Sequence, residues 1–331
     1  MDRAVRLRRG TLVDKLRCIW MDGKLVDWDD AKVHVLTHSF HYGVAAFEGI
    51  RAYETYDGRS AVFRLRDHIR RLVDSCKICM MNLPFEADAI SEACKATMIA
   101  NEMKEGYIRP LAYIGDGVMG VYPANNPIQL LIAVWKWGAY LGEEALKKGI
   151  RAKVSSFTRY QPNSMMTRAK LTGNYVGSVL AKREAKSLGF DEAILLDVDG
   201  YVAEGSGENI FIVRNEKLKT TPLTSILPGI TRDTVMTLAR EMGLEVEEQR
   251  FSRDEMYIAD EVFFTGTAAE VTGIREIDGR VIGRGTVGAI TQKIQTRYFD
   301  VIRGRAPEHH GWLDFYEITS KETKRPAKAR T

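Results

Sequence analysis

Cysteine is scarce in this chain, four among 331 residues. That excludes a disulfide-stapled scaffold and makes a reducing cytoplasm the expected compartment. Long apolar runs are missing too. The longest, Leu130–Trp135, has six residues, whereas a membrane-spanning helix needs about 20, so no membrane partner is expected. The start is rich in arginine (Arg3, Arg6, Arg8, Arg9), but no apolar core follows it. Asp2 and a shortage of serine argue against an organelle-targeting peptide. A basic face is absent as well. The net charge is +4, yet residues 1–17 alone carry +4 and residues 321–331 another +4, which leaves residues 18–320 at −4. Nucleic-acid binders carry their basic excess on the folded body, so no nucleic-acid partner is expected.

What remains is an ordinary globular composition, 45% hydrophobic and 28% charged, in a length that suits one large or two moderate domains. Asp22–Gly23 between Cys18–Met21 and Lys24–Asp27 predicts a hairpin with a type I′ turn, and Asp57–Gly58 between Arg51–Thr55 and Ala61–Leu65 predicts a second. A helix is expected over residues 66–81, with Ile69, Leu72, Val73, Cys76, Cys79 and Met80 on its apolar stripe. A second helix is expected near 86–103, and strands at 107–114 and 128–135. Beyond a linker at 137–148, strands are expected at 151–157, 192–197, 209–214 and 261–265. Helices are expected at 175–188, 231–242 and 287–302. The domain reading is an N-terminal extension (1–17), a small α+β domain (18–136), an interdomain loop (137–148), a larger domain (149–315) and a basic tail (316–331).

Several motifs point to chemistry that their context does not support. Gly115-Asp-Gly117-Val-Met-Gly120 matches a dinucleotide fingerprint, but Pro123 and Pro127 follow where a phosphate-binding helix must begin. Cys76-Lys-Ile-Cys79 falls on the apolar stripe of a helix and reads as core. His34, His38 and His41 straddle an expected strand at 31–36 and a turn, with no cysteine nearby, so no metal is expected. Asp197-Val-Asp199-Gly200 resembles a calcium loop but lacks the later ligands, and reads as a tight turn.

Four segments of the second half are harder to dismiss. Glu204-Gly-Ser-Gly-Glu208-Asn209 sets a carboxylate beside a glycine-rich backbone. Leu227-Pro-Gly229-Ile-Thr231-Arg-Asp233 opens a helix, and helix N-termini receive anions. Gly266-Thr267-Ala268-Ala269 follows a strand, and Arg168-Ala-Lys170 precedes a helix. An acid, an anion cup and a lysine are the requirements of pyridoxal phosphate chemistry. Spacing alone does not single out Lys170 among the lysines.

These residues, with further blocks in the first half, resemble the branched-chain amino acid aminotransferases of the class IV pyridoxal-phosphate fold. The resemblance spans roughly residues 18–315. It rests on His41-Tyr-Gly, Phe47-Glu-Gly-Ile-Arg51, Tyr107-Ile-Arg-Pro, Met119-Gly-Val, Trp137-Gly-Ala-Tyr140 and Lys170-x-x-Gly-Asn-Tyr175, together with Glu204–Asn209, Leu227–Asp233 and Gly266–Glu270. It implies an α+β, two-domain fold with the cofactor, pyridoxal 5′-phosphate, at the domain interface. Lys170 is then the catalytic lysine. Arg71, Tyr175, Glu204, Ile230, Thr231 and Thr267 complete the cofactor site. Tyr42, Phe47, Gly49, Tyr107, Arg109, Val121, Trp137, Tyr140, Thr267 and Ala268 bind substrate.

The same resemblance implies ping-pong transfer between leucine, isoleucine or valine and 2-oxoglutarate. It also implies a homodimer or an assembly of dimers, in which Tyr42 and the Met119–Val121 loop enter the neighbouring subunit's site. A D-amino acid aminotransferase and the lyase that makes 4-aminobenzoate share the fold and are the alternatives; Arg109 and Trp137–Tyr140 weigh against both. Leu171 and Thr172 replace the family's smaller residues after the lysine, so packing beside it is expected to differ.

Overall fold

The computed structural model describes residues 13–138 and 141–318. The first twelve residues, the tail from residue 319 and Tyr140 lie outside the described residues.

The opening hairpin follows from its turn. Asp22 and Gly23 both take positive φ, 46° and 95°, whose twist matches that of the flanking strands. They pair Cys18–Met21 with Lys24–Asp27. The second expected hairpin forms with a different turn. Only Gly58 has positive φ, and Thr55 pairs with Arg59 around the three residues Tyr56–Gly58. Ile50–Glu54 then pairs with Ser60–Phe63.

The first sheet is antiparallel throughout. In spatial order it runs Leu313–Tyr316, Ser60–Phe63, Ile50–Glu54, Gly106–Ile114, Ile128–Trp135, Cys18–Met21 and Lys24–Asp27, with Ala45–Phe47 also beside Gly106–Ile114. Its end strand comes from the far end of the chain. A boundary at residue 315 therefore falls inside a strand of the first sheet.

Helices Leu65–Ile78 and Ala87–Ala100 cover this sheet, burying Ile69, Leu72, Cys76, Ile90, Cys94 and Met98 in one core. The first helix stops three residues earlier than its apolar pattern predicts. Cys79 closes it, and Met80 adopts φ 56° and is 89% exposed instead of joining the stripe. Burial pushes the Cys76 thiol up to about 12, as expected of a core thiol. The strand expected at 31–36 is absent. His34 Nδ1 accepts from the Leu36 N–H and Thr37 Oγ1 donates to the His34 carbonyl, and such local bonds compete with a strand ladder. Residues 38–42 form a short helix.

The second sheet is mixed. Its order is Val202–Gly205, Glu192–Leu196, Ile150–Thr158, Glu270–Ile277, Glu261–Gly266, Asn209–Arg214, Lys217–Thr220 and Val246–Glu248, with Arg280–Val281 beside Glu270–Ile277. The turn at Asp199–Gly200 joins 192–196 to the short strand 202–205, not directly to 209–214. Asp197 accepts the N–H groups of Asp199 and Tyr201 and pairs with Arg250, which uses it as a turn residue. Helices Ile230–Glu241 and Ala289–Ile302 pack on this sheet.

The two sheets share a core. Tyr53, Ala61, Phe63 and Leu313 of the first pack with Phe211, Phe263 and Val271 of the second and with Tyr298. That apolar contact fixes the first sheet against the second, and the site lies where their edges meet.

Candidate functional site

Lys170, from the second half of the chain, is positioned by the first half. Its carbonyl accepts from the Phe47 N–H (3.0 Å), and its own N–H donates to Ser75 Oγ (3.0 Å), which in turn donates to the Arg71 carbonyl. Leu171 and Thr172 complete the anchorage. Leu171 bridges Ala46 and joins the first core, while Thr172 bonds Ala45 and Gly43. The larger residues after the lysine thus face the strand and core.

The lysine amine donates to Tyr175 Oη at 2.6 Å and lies 5.0 Å from the Phe47 ring centre. Burial and the neighbouring Arg71 bring it down to about 8, with Glu48 opposing. Burial pushes the Tyr175 phenol well up, so it stays protonated.

All seven residues expected to hold the cofactor converge. Arg71, Lys170, Tyr175, Glu204, Ile230, Thr231 and Thr267 line one cavity. Glu204 is buried and accepts from Asn209 Nδ2 (3.1 Å) and the Leu227 N–H (3.2 Å). Burial raises its carboxyl above the usual range, and Arg159, whose Nε lies 2.6 Å away, only partly offsets this. Ile230 and Thr231 open the helix Ile230–Glu241, whose first N–H groups have no helical partners. Thr265 Oγ1, on the cavity wall, is buried without a partner. An amine, a buried carboxylate, a guanidinium and a helix N-terminus on one cavity match the donor set that pyridoxal phosphate requires.

Beside this cavity lies an aromatic shelf. Phe47 meets Tyr175 edge-on at 5.0 Å, and Tyr107 contacts Trp135 and Trp137. The Arg109 guanidinium sits over Phe47, Tyr107 and Trp135 at 4.8–5.4 Å. Its Nε is buried without a hydrogen-bond partner, and no carboxylate pairs with it among the described residues. Gly49 lies against Tyr107: a Cβ there would fall 1.8 Å from the Tyr107 hydroxyl. Ala268 is half-buried after Thr267.

Tyr42 and Val121 do not reach this cavity. They are 43% and 87% exposed, held near one another because His38 stacks on Tyr42 and bonds the Gly120 carbonyl.

Three site residues carry no sequence signal of their own. Glu48, inside the Phe47–Arg51 block, is fully buried and grips Arg71 and His68. Arg159 pairs with Glu204, and Ser75 supports Lys170. The sequence offers each as an unremarkable polar residue, because every partnership is long-range.

Known proteins share both the sequence and the fold. Residues 45–277 match the family described as amino-transferase class IV. A branched-chain-amino-acid aminotransferase of Pseudomonas aeruginosa is 51% identical over 302 residues, 91% of this chain and 98% of that protein. The crystal structure of the branched-chain amino acid aminotransferase of Escherichia coli superposes with a TM-score of 0.89 at 46% identity, covering 92% of this chain and all of that one. A branched-chain amino acid aminotransferase from T.th., complexed with N-(5′-phosphopyridoxyl)-L-glutamate, gives 0.88 at 47% identity over 91% and 99% of the two chains. A family match over most of the chain and this identity over nearly all of it make one conclusion plain: the chain belongs to the class IV aminotransferases.

Proposed function

We propose that the protein transfers amino groups between branched-chain L-amino acids and 2-oxoglutarate, with pyridoxal phosphate as its cofactor. The observation that carries this reading is Arg109, which donates to Tyr107 Oη and has no carboxylate partner among the described residues, on an aromatic shelf beside the Lys170 cavity. The shelf suits an apolar side chain. The guanidinium suits the second carboxylate of glutamate, which without a cation would be costly to bury. Relatives that bear the branched-chain name, and one that holds a phosphopyridoxyl-glutamate, support it.

The bound cofactor supplies a carbonyl that takes up the amino group and a ring that stores electrons. Glu204 holds a proton on the ring nitrogen, and Tyr175 Oη orients the ring oxygen. Arg71, the N–H groups of Ile230 and Thr231, and Thr267 take the phosphate with charge-assisted bonds. Lys170 Nζ takes the Cα proton and returns it; burial brings its amine close enough to neutrality for that exchange. Tyr107, Thr267 and the Ala268 N–H receive the α-carboxylate. Arg109 takes the distal carboxylate, assisted by Tyr42 and Tyr140. Trp137 and Val121 complete the apolar wall with Phe47 and Gly49.

A second copy of the chain completes the site. Tyr42 and Val121 are exposed in their own subunit, and Phe40 and Tyr122 beside them are 65% and 79% exposed. That patch suits a homodimer. All four cysteines are unpaired thiols, which suits the cytoplasm, and no helix among the described residues is long and apolar enough to cross a membrane.

Purified protein that is yellow and bleached by borohydride carries its cofactor on a lysine. Single-turnover absorbance then follows the leucine and glutamate half-reactions separately. A hydrogen bond to a charged group contributes about 1.5–3 kcal/mol, so Arg109→Leu is expected to lower kcat/KM for glutamate by roughly 10- to 150-fold. The leucine half-reaction should change much less. Equal losses on both would make Arg109 structural, and reaction with D-alanine in preference to leucine would overturn the substrate reading.

A further inference from the structure

Arg71 is not a free side chain waiting for an anion. Its Nε and one Nη donate to the two oxygens of Glu48, at 2.6 and 2.9 Å, and the other Nη donates to the Pro228 carbonyl at 2.8 Å. Each terminal nitrogen carries two hydrogens, so each retains one. Glu48 itself is completely buried and accepts a third bond from His68 Nδ1 at 2.7 Å. Burial pushes the Glu48 carboxyl up, but Arg71 and His68 outweigh it and hold it ionised, well below the usual range. Burial keeps His68 neutral. A buried carboxylate that accepts three side-chain bonds has one preferred position, and the guanidinium fork shares it.

The chain runs directly from this carboxylate to the lysine's anchor. Phe47, whose N–H holds the Lys170 carbonyl, is the residue before Glu48. On the other side, Ser75 holds the Lys170 N–H and sits one helical turn after Arg71. The phosphate grip and the lysine are therefore tied together twice, through Phe47–Glu48 and through Arg71–Ser75. The Pro228 bond attaches the same guanidinium to the turn that opens helix Ile230–Glu241.

We propose that Glu48 is a positioning residue for phosphate recognition: it locks the Arg71 fork so that one N–H from each terminal nitrogen faces the phosphate at a fixed distance from Lys170. The inference rests on the reading of Arg71 as the phosphate clamp. Its content is that orientation, beyond charge, provides the grip.

The test compares the affinity of apoprotein for pyridoxal phosphate with that for pyridoxal, which lacks the phosphate. Both are titrated by absorbance, with apoprotein melting measured alongside. In Glu48→Gln the ratio of the two affinities is expected to fall about tenfold or more, because the neutral amide cannot accept both Arg71 bonds. Glu48→Asp keeps the charge that balances Arg71 but is one methylene short, and is expected to lose the ratio as well. An apoprotein that melts normally with a lowered ratio supports the proposal. If Glu48→Asp retains the wild-type ratio, charge alone suffices and the positioning role is wrong. If pyridoxal and pyridoxal phosphate weaken equally in both variants, Glu48 is merely structural. Arg71→Met separates the two levels. If it loses the ratio while the Glu48 variants keep it, only the positioning inference falls; if it too keeps the ratio, the clamp reading falls first.

Discussion

A lysine amine in water is protonated until well above neutrality, and Lys170 differs because of where it sits. Burial disfavours its charged form and Arg71 repels it, while Glu48 partly offsets both, and the outcome is an amine near 8. The free amine is the form that reacts with the cofactor's carbonyl. Below that value its fraction falls about tenfold per pH unit. Capture of pyridoxal phosphate by apoprotein, followed by stopped-flow absorbance, should therefore speed up about tenfold per unit up to roughly pH 8 and level off above it. A rate that keeps climbing past pH 10 would mean that Lys170 is an ordinary lysine. The lysine itself was legible in the sequence only as part of a family pattern, since nothing in its spacing separates it from its neighbours. Its perturbation was not legible at all. It arises from burial and from Arg71, partly offset by Glu48, and these surround it only once the strand Ala45–Phe47 and the helix Leu65–Ile78 are packed.

At the scale of elements, the proposed phosphate cup depends on how closely a turn approaches a strand. Gly229 precedes helix Ile230–Glu241 with φ −72° and ψ 131°, a conformation open to any residue, so its glycine is not demanded by the backbone. The demand is steric. A Cβ at Gly229 would lie 1.9 Å from Asn209 Oδ1, and Asn209 Nδ2 bridges Glu204 and the Leu227 carbonyl. Gly229→Ala should push Asn209 off both partners, destabilise the fold by about 1–3 kcal/mol and loosen cofactor retention. Adding Asn209→Ala removes the clash, so the double variant should melt no lower than Asn209→Ala alone. If Gly229→Ala costs as much in the Asn209→Ala background, another contact is responsible.

Elements of this kind divide by what specifies them. The hairpin at 18–27 was readable because Asp22–Gly23 sets its turn locally. The strand Leu313–Tyr316 went unread, because it is four residues long and pairs with Ser60–Phe63 some 250 positions away. The strand Glu270–Ile277 is buried on both faces for most of its length, which hides the alternation that would reveal it.

The molecule as a whole presents a cavity whose expected substrate wall is incomplete in one chain. Tyr42 and Val121 sit on an exposed face, and they are held there: His38 stacks on the Tyr42 ring and bonds the Gly120 carbonyl, while Asn126 pins the backbone at Gly115 and Val118. The shared core packs the first sheet against the second, and Tyr42 and Val121 do not line the Lys170 cavity in their own chain. In the homodimer proposed above, a symmetry-related copy brings these residues to the substrate. That arrangement makes complementation between two inactive proteins possible. Lys170→Ala lacks the lysine but keeps Tyr42; Tyr42→Ala lacks the tyrosine but keeps Lys170. In a mixed dimer, the site built around the intact lysine receives the intact tyrosine from the Lys170→Ala subunit. Each mixed dimer has one complete site of two, so the isolated mixed dimers should recover roughly half of wild-type activity. The two variants are co-expressed with different tags, the doubly tagged fraction is isolated, and its turnover of leucine with 2-oxoglutarate is measured. Recovery requires that Tyr42 act across the interface. If the mixed dimers are no more active than the Tyr42→Ala homodimer, Tyr42 serves its own subunit, and the face it occupies has another use.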